Sequence, residues 1–168
     1  MTTPDATSIT GQKRLYLRKM KTMTKGEILQ RIREKLEGNV RELESSLESL
    51  RSASNMDESD TLDPEDYSQQ SESRDREMAM QLQLDAAQAQ LVRLEDFSGR
   101  KVSIAEPGAL IETDRNWFFL GISMSLNVDG KELYGVSPDT PAFNAMKGKA
   151  IGDVFKIGNH EHRILTII

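Results

Sequence analysis

The residues best suited to chemistry are concentrated in one acidic segment, residues 55–72, which lies between two stretches of regularly spaced apolar residues. The segment contains no Lys or Arg and seven carboxylates: Asp57, Glu58, Asp60, Asp63, Glu65, Asp66 and Glu72. Because like charges repel one another, such a cluster costs stability wherever it is placed. Mg²⁺ binds one or two protein carboxylates and keeps several waters. The segment therefore predicts a surface that meets a metal ion or a basic channel on a partner.

Four of these carboxylates are the best candidates for a metal. Asp63 and Asp66 are three residues apart, so a helical turn would place both on one face. Pro64 suits the first position of a helix capped by Asp63. Asp60 and Glu65 are the next candidates. The alternative is an ordinary acidic helix start that only meets solvent.

The flanking sequence predicts two long helices. Thr24 and Glu27 fit a capping box that starts the first helix. Its apolar residues then repeat with coiled-coil spacing at Ile28, Ile32, Leu36, Val40, Leu43, Leu47 and Leu50. A second helix, expected to begin near Ser73, repeats the spacing at Met80, Leu84, Ala87, Leu91 and Leu94. Two such seams joined by one loop predict an antiparallel hairpin, with the acidic segment at its tip.

Composition and charge narrow the class of protein. The chain has 168 residues, a net charge of −5 and no cysteine, which excludes disulfides and thiolate zinc sites. The charge is segregated, since residues 11–35 hold nine Lys and Arg against two acids. Residues 1–22 read as a flexible basic arm. Neither a signal peptide nor a membrane span is visible, so we expect a cytoplasmic protein without membrane contact.

Residues 99–168 predict a small antiparallel β domain, which makes the whole chain α+β. The expected strands are 101–105, 109–113, 117–124, 132–136, 154–157 and 162–168. Thr140 and Pro141 begin a short helix that Gly148 ends. Trp117, Phe118 and Phe119 are expected in the core, whereas His160 and His162 are expected on an exposed strand face. The domain boundaries are therefore 1–22, 23–98 and 99–168.

The stretch from Ser137 to Ile157, SPDTPAFNAMKGKAIGDVFKI, resembles the C-terminal domain of the Gre transcript-cleavage factors of bacterial RNA polymerase. The matching positions are Ser137, Pro138, Ala142, Gly148, Lys149, Gly152 and Asp153. The resemblance implies an FKBP-like domain that docks on the polymerase, and all of these except Ala142 are the docking candidates. It also implies a coiled coil that enters the secondary channel, where tip carboxylates help to hold a second Mg²⁺ shared with the polymerase.

The tip itself departs from the Gre pattern. Gre factors carry a DLSENAEY segment, which this chain lacks, and the sequence LDPEDY looks closer to the DPxD tip of the DksA family. The leading hypothesis is an accessory elongation factor, not itself an enzyme, that acts as a monomer, binds no metal stably when free and meets the RNA 3′ end only indirectly. The main alternative is a secondary-channel regulator without cleavage activity. A prolyl isomerase and a coiled-coil dimerisation module are the hypotheses from other classes.

Overall fold

The chain folds as two long helices followed by a six-stranded mixed sheet, which confirms the α+β class. A computed structural model describes residues 23–56 and 64–168, with side chains described for 23–53 and 70–168. The helices are α1 (Lys25–Met56), α2 (Pro64–Ser98) and the short α3 (Pro141–Met146). The strands are β1 (Leu110–Thr113), β2 (Trp117–Leu120), β3 (Met124–Val128), β4 (Lys131–Val136), β5 (Val154–Ile157) and β6 (His160–Ile167). The predicted arm, residues 1–22, lies outside the described residues.

The start of α1 follows the predicted capping box. The Thr24 N–H donates to Glu27 Oε2 (2.8 Å), and the Glu27 N–H donates to Thr24 Oγ1 (3.3 Å). Each side chain thereby satisfies a backbone N–H that has no partner within the helix. The helix then continues through Gly38 as one element to Met56.

The second helix begins at Pro64, earlier than the expected start near Ser73. Residues 64–79 are mostly polar, with several good helix formers such as Glu, Gln and Arg, so they extend a helix without forming an apolar seam. The apolar repeat therefore indicates where α2 packs, and it does not indicate where α2 begins. As a result, Glu65, Asp66 and Glu72 belong to a helix and not to a long loop.

The two helices run antiparallel. Arg33 pairs with Glu95, and further along α1 Arg51 Nε pairs with Glu77 Oε1 at 2.7 Å. The residue numbers therefore increase along α1 where those of the contacting residues on α2 decrease. A shared apolar cluster lies between these pairs, formed by Val40, Leu47, Leu84 and Ala87 with Leu43, Met80 and Leu91 at its edge. The predicted seam residues from Val40 to Leu47 on α1 and from Met80 to Leu91 on α2 therefore form the surfaces through which the two helices pack.

The sheet is mixed, which corrects the antiparallel prediction. Its strand order is β3-β4-β2-β1-β6-β5, and β2 pairs with β4 in parallel while the other neighbours pair antiparallel. The chain leaves β2 at Gly121, crosses to β3 and returns through the turn at Asp129 and Gly130. Because that turn brings β4 back between β3 and β2, β4 runs in the direction of β2. Hairpin signals are local and do not reveal such a crossing.

Two predicted strands also differ. Residues 101–105 form no strand; Ala105 instead exchanges two 2.8 Å backbone hydrogen bonds, with Gly148 and Lys149. The predicted strand 117–124 is interrupted at Gly121, whose φ of 117° lies outside the strand region. The remaining strands lie close to their predicted positions, and the turn at Asp129 and Gly130 has the two positive φ values, 51° and 84°, that a tight hairpin needs.

The sheet has an apolar layer on each face. One layer joins the base of the hairpin to the sheet through Ile28, Ile32, Leu36 and Leu94, which pack with Trp117 and Phe119. The other layer joins the sheet to α3 through Phe118, Leu120, Phe143 and Met146. Strand β2 is therefore buried on both faces, which confirms that its three aromatic residues lie in the core.

Candidate functional site

The described helix ends that flank the acidic segment, Met56 and Pro64, lie at the end of the helix pair away from the sheet. Leu36 is the last residue of α1 in the apolar layer shared with the sheet, and α1 continues to Met56, about 20 residues or roughly 30 Å further. Asp60 and Asp63 lie between the two helices and outside the described residues. Glu65 and Asp66 lie in the first turn of α2, where the backbone is described but not the side chains.

Ser137 and Pro138 lie in the turn between β4 and α3. The Ser137 carbonyl accepts hydrogen bonds from the Thr140 hydroxyl (2.8 Å) and the Thr140 N–H (3.2 Å). Thr140 Oγ1 in turn accepts from the Phe143 N–H at 3.3 Å and caps α3. Pro138 is exposed and Ser137 half-buried. This part of the motif therefore builds a rigid turn whose proline faces solvent.

Gly148 and Lys149 lie at the other end of α3. Gly148 has a φ of 77°, so it ends the helix in a conformation that favours glycine. Its N–H donates to the Ala105 carbonyl, and the Ala105 N–H donates to the Lys149 carbonyl, both at 2.8 Å. These two residues fasten the helix end to the segment that leads into β1.

Gly152 and Asp153 form the turn before β5. Asp153 Oδ2 accepts from the Ala150 N–H at 2.8 Å, and the Asp153 carbonyl accepts from the Ile164 N–H at 2.9 Å. Gly152 has a φ of 92°, and its carbonyl accepts from Arg163 Nη1 at 3.1 Å. The docking candidates thus lie in three turns, one before α3, one after it and one before β5, and all except Pro138 have a structural role beside any docking role.

A cleft that the sequence did not reveal lies beside α3 on the same face of the sheet. Its volume is about 580 Å³, and its apolar wall includes Phe118, Tyr134, Val136 and Ile157. Its polar lining is Arg115, Asn116, His160 and His162. The spacing of His160 and His162, two residues apart on one strand, was the available sequence signal for this cleft. That spacing places both side chains on one face but could not show that this face borders a cleft.

His162 is buried, contrary to the exposed position predicted for it. Only 5% of the residue is accessible, its ring stacks on Phe155 with centroids 5.3 Å apart, and Phe118 meets the ring edge-on at the same distance. Burial lowers the pKa of His162 below its usual value of 6.5; Asp114 opposes this effect, while Arg115 and His160 add to it. His160 is exposed, as predicted; it lies on the same face as His162 but at the first position of β6, beside the turn and beyond the ring contacts with Phe155 and Phe118.

Among the described residues, no group of three or more His, Asp or Glu side chains is arranged to hold a metal ion. None of the helices within residues 23–56 and 64–168 is both long and apolar enough to cross a lipid bilayer. In comparisons with known proteins, no protein-family model matches the chain and no curated sequence matches it.

Proposed function

We propose that this chain is a Gre-like accessory factor of bacterial RNA polymerase that stimulates cleavage of backtracked RNA. The observation that carries the proposal is the antiparallel helix pair, which is anchored at one end on the sheet and joined at the other by a segment rich in carboxylates. The part of α1 beyond Leu36 extends roughly 30 Å from the sheet, so it has the shape of a probe for a narrow channel.

The chemistry follows from the needs of two-metal hydrolysis. Two ions about 4 Å apart activate the water and stabilise the leaving oxygen. A protein that brings carboxylates to a site holding one Mg²⁺ can help to hold the second. Asp63 and Asp66 are the proposed ligands, with Asp60 and Glu65 as the next candidates, and the ion is shared with the polymerase.

The C-terminal part is proposed to be an FKBP-like docking domain. The support is a mixed sheet with one short helix on one face, together with the Ser137–Ile157 motif around that helix. Pro138, Gly148, Gly152 and Asp153 are all exposed, so they are available for contact with the polymerase. Their rigid turns would present this surface without a large ordering cost.

A second candidate function is a secondary-channel regulator that does not stimulate cleavage. The absence of the DLSENAEY segment and the DPxD-like sequence around Asp63 favour it. Both candidates share the polymerase as partner and differ in what the tip does there.

The hypotheses from other classes receive less support. A coiled-coil dimerisation module needs an unoccupied seam, whereas Val40, Leu47, Leu84 and Ala87 are buried between α1 and α2 of the same chain. A prolyl isomerase rests on fold analogy alone, and fold does not determine function. Turnover of a proline-containing peptide by the purified protein would revive that hypothesis.

The deciding experiment uses stalled, backtracked polymerase complexes with 3′-labelled RNA and Mg²⁺. Rapid release of short 3′ fragments on addition of the protein is the expected result, and chelation of Mg²⁺ should stop it. Binding to the polymerase without fragment release would establish the non-cleaving regulator. Absence of binding to both free and backtracked polymerase would overturn the assignment to this class.

A further inference from the structure

The cleft beside α3 exists because the sheet separates at the start of β6. Strand β1 ends at Thr113, which pairs with Ile164, and Arg163 still bonds to Asp114 just beyond that end, so residues 160–162 of β6 pair only with β5. The register shifts between Glu112 and Thr113, which is the mark of a β-bulge. Bulges re-aim strands and are common beside binding sites. The cleft opens where β6 extends beyond β1.

The lining of the cleft consists of one set of apolar residues and one set of polar residues. Phe118, Tyr134, Val136 and Ile157 supply apolar surface, and Arg115, Asn116 and the two histidines supply polar groups. None of the described residues that line it carries a carboxylate, and the nearest one that acts on His162 belongs to Asp114, which precedes Arg115. A volume of about 580 Å³ lies within the range of small-molecule sites, which combine apolar walls with a few polar groups.

His162 is the lining residue whose hydrogen-bonding capacity is left unsatisfied by the described residues and could be satisfied by a ligand. Its Nδ1 atom is buried and has no hydrogen-bond partner among the described residues. Leaving a buried polar atom unpaired costs free energy, and buried polar groups in folded proteins nearly always have partners. The rings of Phe155 and Phe118 hold the imidazole in place, so the ring is positioned before any ligand arrives.

We infer that this cleft binds a small organic acid, with an aromatic or branched apolar body against Phe118 and Ile157 and a carboxylate near His162 and Arg115. The apolar wall accommodates the body of the ligand. The Arg115 guanidinium attracts the carboxylate, and a small shift of the buried His162 ring lets Nδ1–H donate a hydrogen bond to it. This site is distinct from the hairpin tip, and the inference does not depend on the proposed function.

The test is titration of the full chain with phenylacetate, followed by two-dimensional NMR and calorimetry. Saturable binding is expected, with shifted resonances at Phe118, Ile157 and His162. Phenylacetamide, which has the same body without the charge, should bind at least several-fold more weakly. Equal affinity for acid and amide, or shifts confined to other regions, would overturn the inference.

Substitutions at His162 and Arg115 test the contribution of each side chain to binding separately. His162→Phe keeps a stacking ring and removes Nδ1, so binding should weaken about tenfold or more. His162→Asn restores a donor near the position of Nδ1 and should recover part of the affinity. Arg115→Gln should weaken binding about threefold, because Arg115 is exposed. Lys156→Gln removes an exposed charge outside the cleft and is the matched control.

A final binding measurement distinguishes a carboxylate of a small molecule from the C-terminal carboxylate of a peptide. The peptide acetyl-Ala-Ala-Phe carries the same apolar group beside a free C-terminal carboxylate. Weaker binding of this peptide than of phenylacetate supports a small-molecule site. Tight binding of the peptide with no binding of phenylacetate would replace the small acid by a protein C-terminus. Unchanged phenylacetate affinity in both His162→Phe and Arg115→Gln would overturn the roles assigned to these residues.

Discussion

The ring of Phe97, in the last turns of α2, lies directly against the backbone of Gly121. A Cβ atom on Gly121 would lie 2.5 Å from Phe97 Cε2 and 2.9 Å from Cζ, closer than van der Waals contact allows. The same ring meets Phe119 edge-on with centroids 6.3 Å apart. The end of the hairpin therefore packs on the sheet at a position where only glycine fits.

Gly121→Ala should destabilise the protein by about 2 kcal/mol or more, because it combines overpacking against Phe97 with an unfavourable backbone conformation at φ 117°. The change in the free energy of unfolding is measured by urea denaturation monitored by circular dichroism. Gly130→Ala is the matched control, since Gly130 also has a positive φ of 84° but no atom of the described residues within 4 Å of a new Cβ. Equal losses in the two variants would contradict a role for the Phe97 contact.

Leu84→Ala should lower the free energy of unfolding by about 2 kcal/mol, because Leu84 lies in the cluster between α1 and α2 with 6% of its surface exposed. Leu82→Ala makes the same chemical change two residues away, where 64% is exposed, and should cost about 0.5 kcal/mol or less. Thermal unfolding of the pair tests the assignment of the seam. A larger loss in Leu82→Ala would mean that α2 presents its other face to α1.

His162→Phe should raise the free energy of unfolding of the free protein by about 1 kcal/mol. The substitution removes a buried nitrogen that has no hydrogen-bond partner within the described part of the chain, and it keeps the ring between Phe155 and Phe118. Chemical denaturation at pH 7.5, where the imidazole is neutral, measures the effect. His160→Phe, at the exposed neighbour on the same strand, should leave stability nearly unchanged.

The pH dependence follows from the lowered pKa of His162. Because the folded state binds the proton less tightly than the unfolded state, its contribution to stability is present above about pH 6.5 and is lost as the pH falls through the folded pKa. Asp114, Arg115 and His160 also act on this ring. Unfolding of the wild type and His162→Phe between pH 7.5 and 5 should differ in slope, and parallel curves would contradict the assignment.

The double substitution Asp63→Ala and Asp66→Ala should abolish stimulated RNA cleavage while leaving polymerase binding intact, because the proposed role of these carboxylates is to hold Mg²⁺. The labelled 3′ fragments measure cleavage and competition binding measures affinity. Asp75→Ala with Asp85→Ala removes two exposed charges further along α2 and is the control. Unchanged cleavage in the tip variant would remove Asp63 and Asp66 from the metal site.

The sequence alone was sufficient for the features that depend on neighbouring residues. The capping box at Thr24, the seam on each helix and the turn at Asp129 and Gly130 all arise from local hydrogen bonds, helical periodicity or the φ angles that a turn requires. The acidic tip and the Ser137–Ile157 motif were equally visible, because they are properties of composition and order. The start of α2 was missed because polar residues extend a helix without an apolar signal.

Tertiary structure alone decided the relationships between distant segments. The parallel pairing of β2 with β4 depends on a crossing at Gly121, and the burial of His162 depends on aromatic residues from β2 and β5. The contact of Phe97 with Gly121 joins positions in two different elements. Such contacts are selected by packing across long stretches of chain, where many alternatives have similar local energies. The sequence therefore predicted most of the local elements, and the fold determined which side chains meet and where the cleft opens.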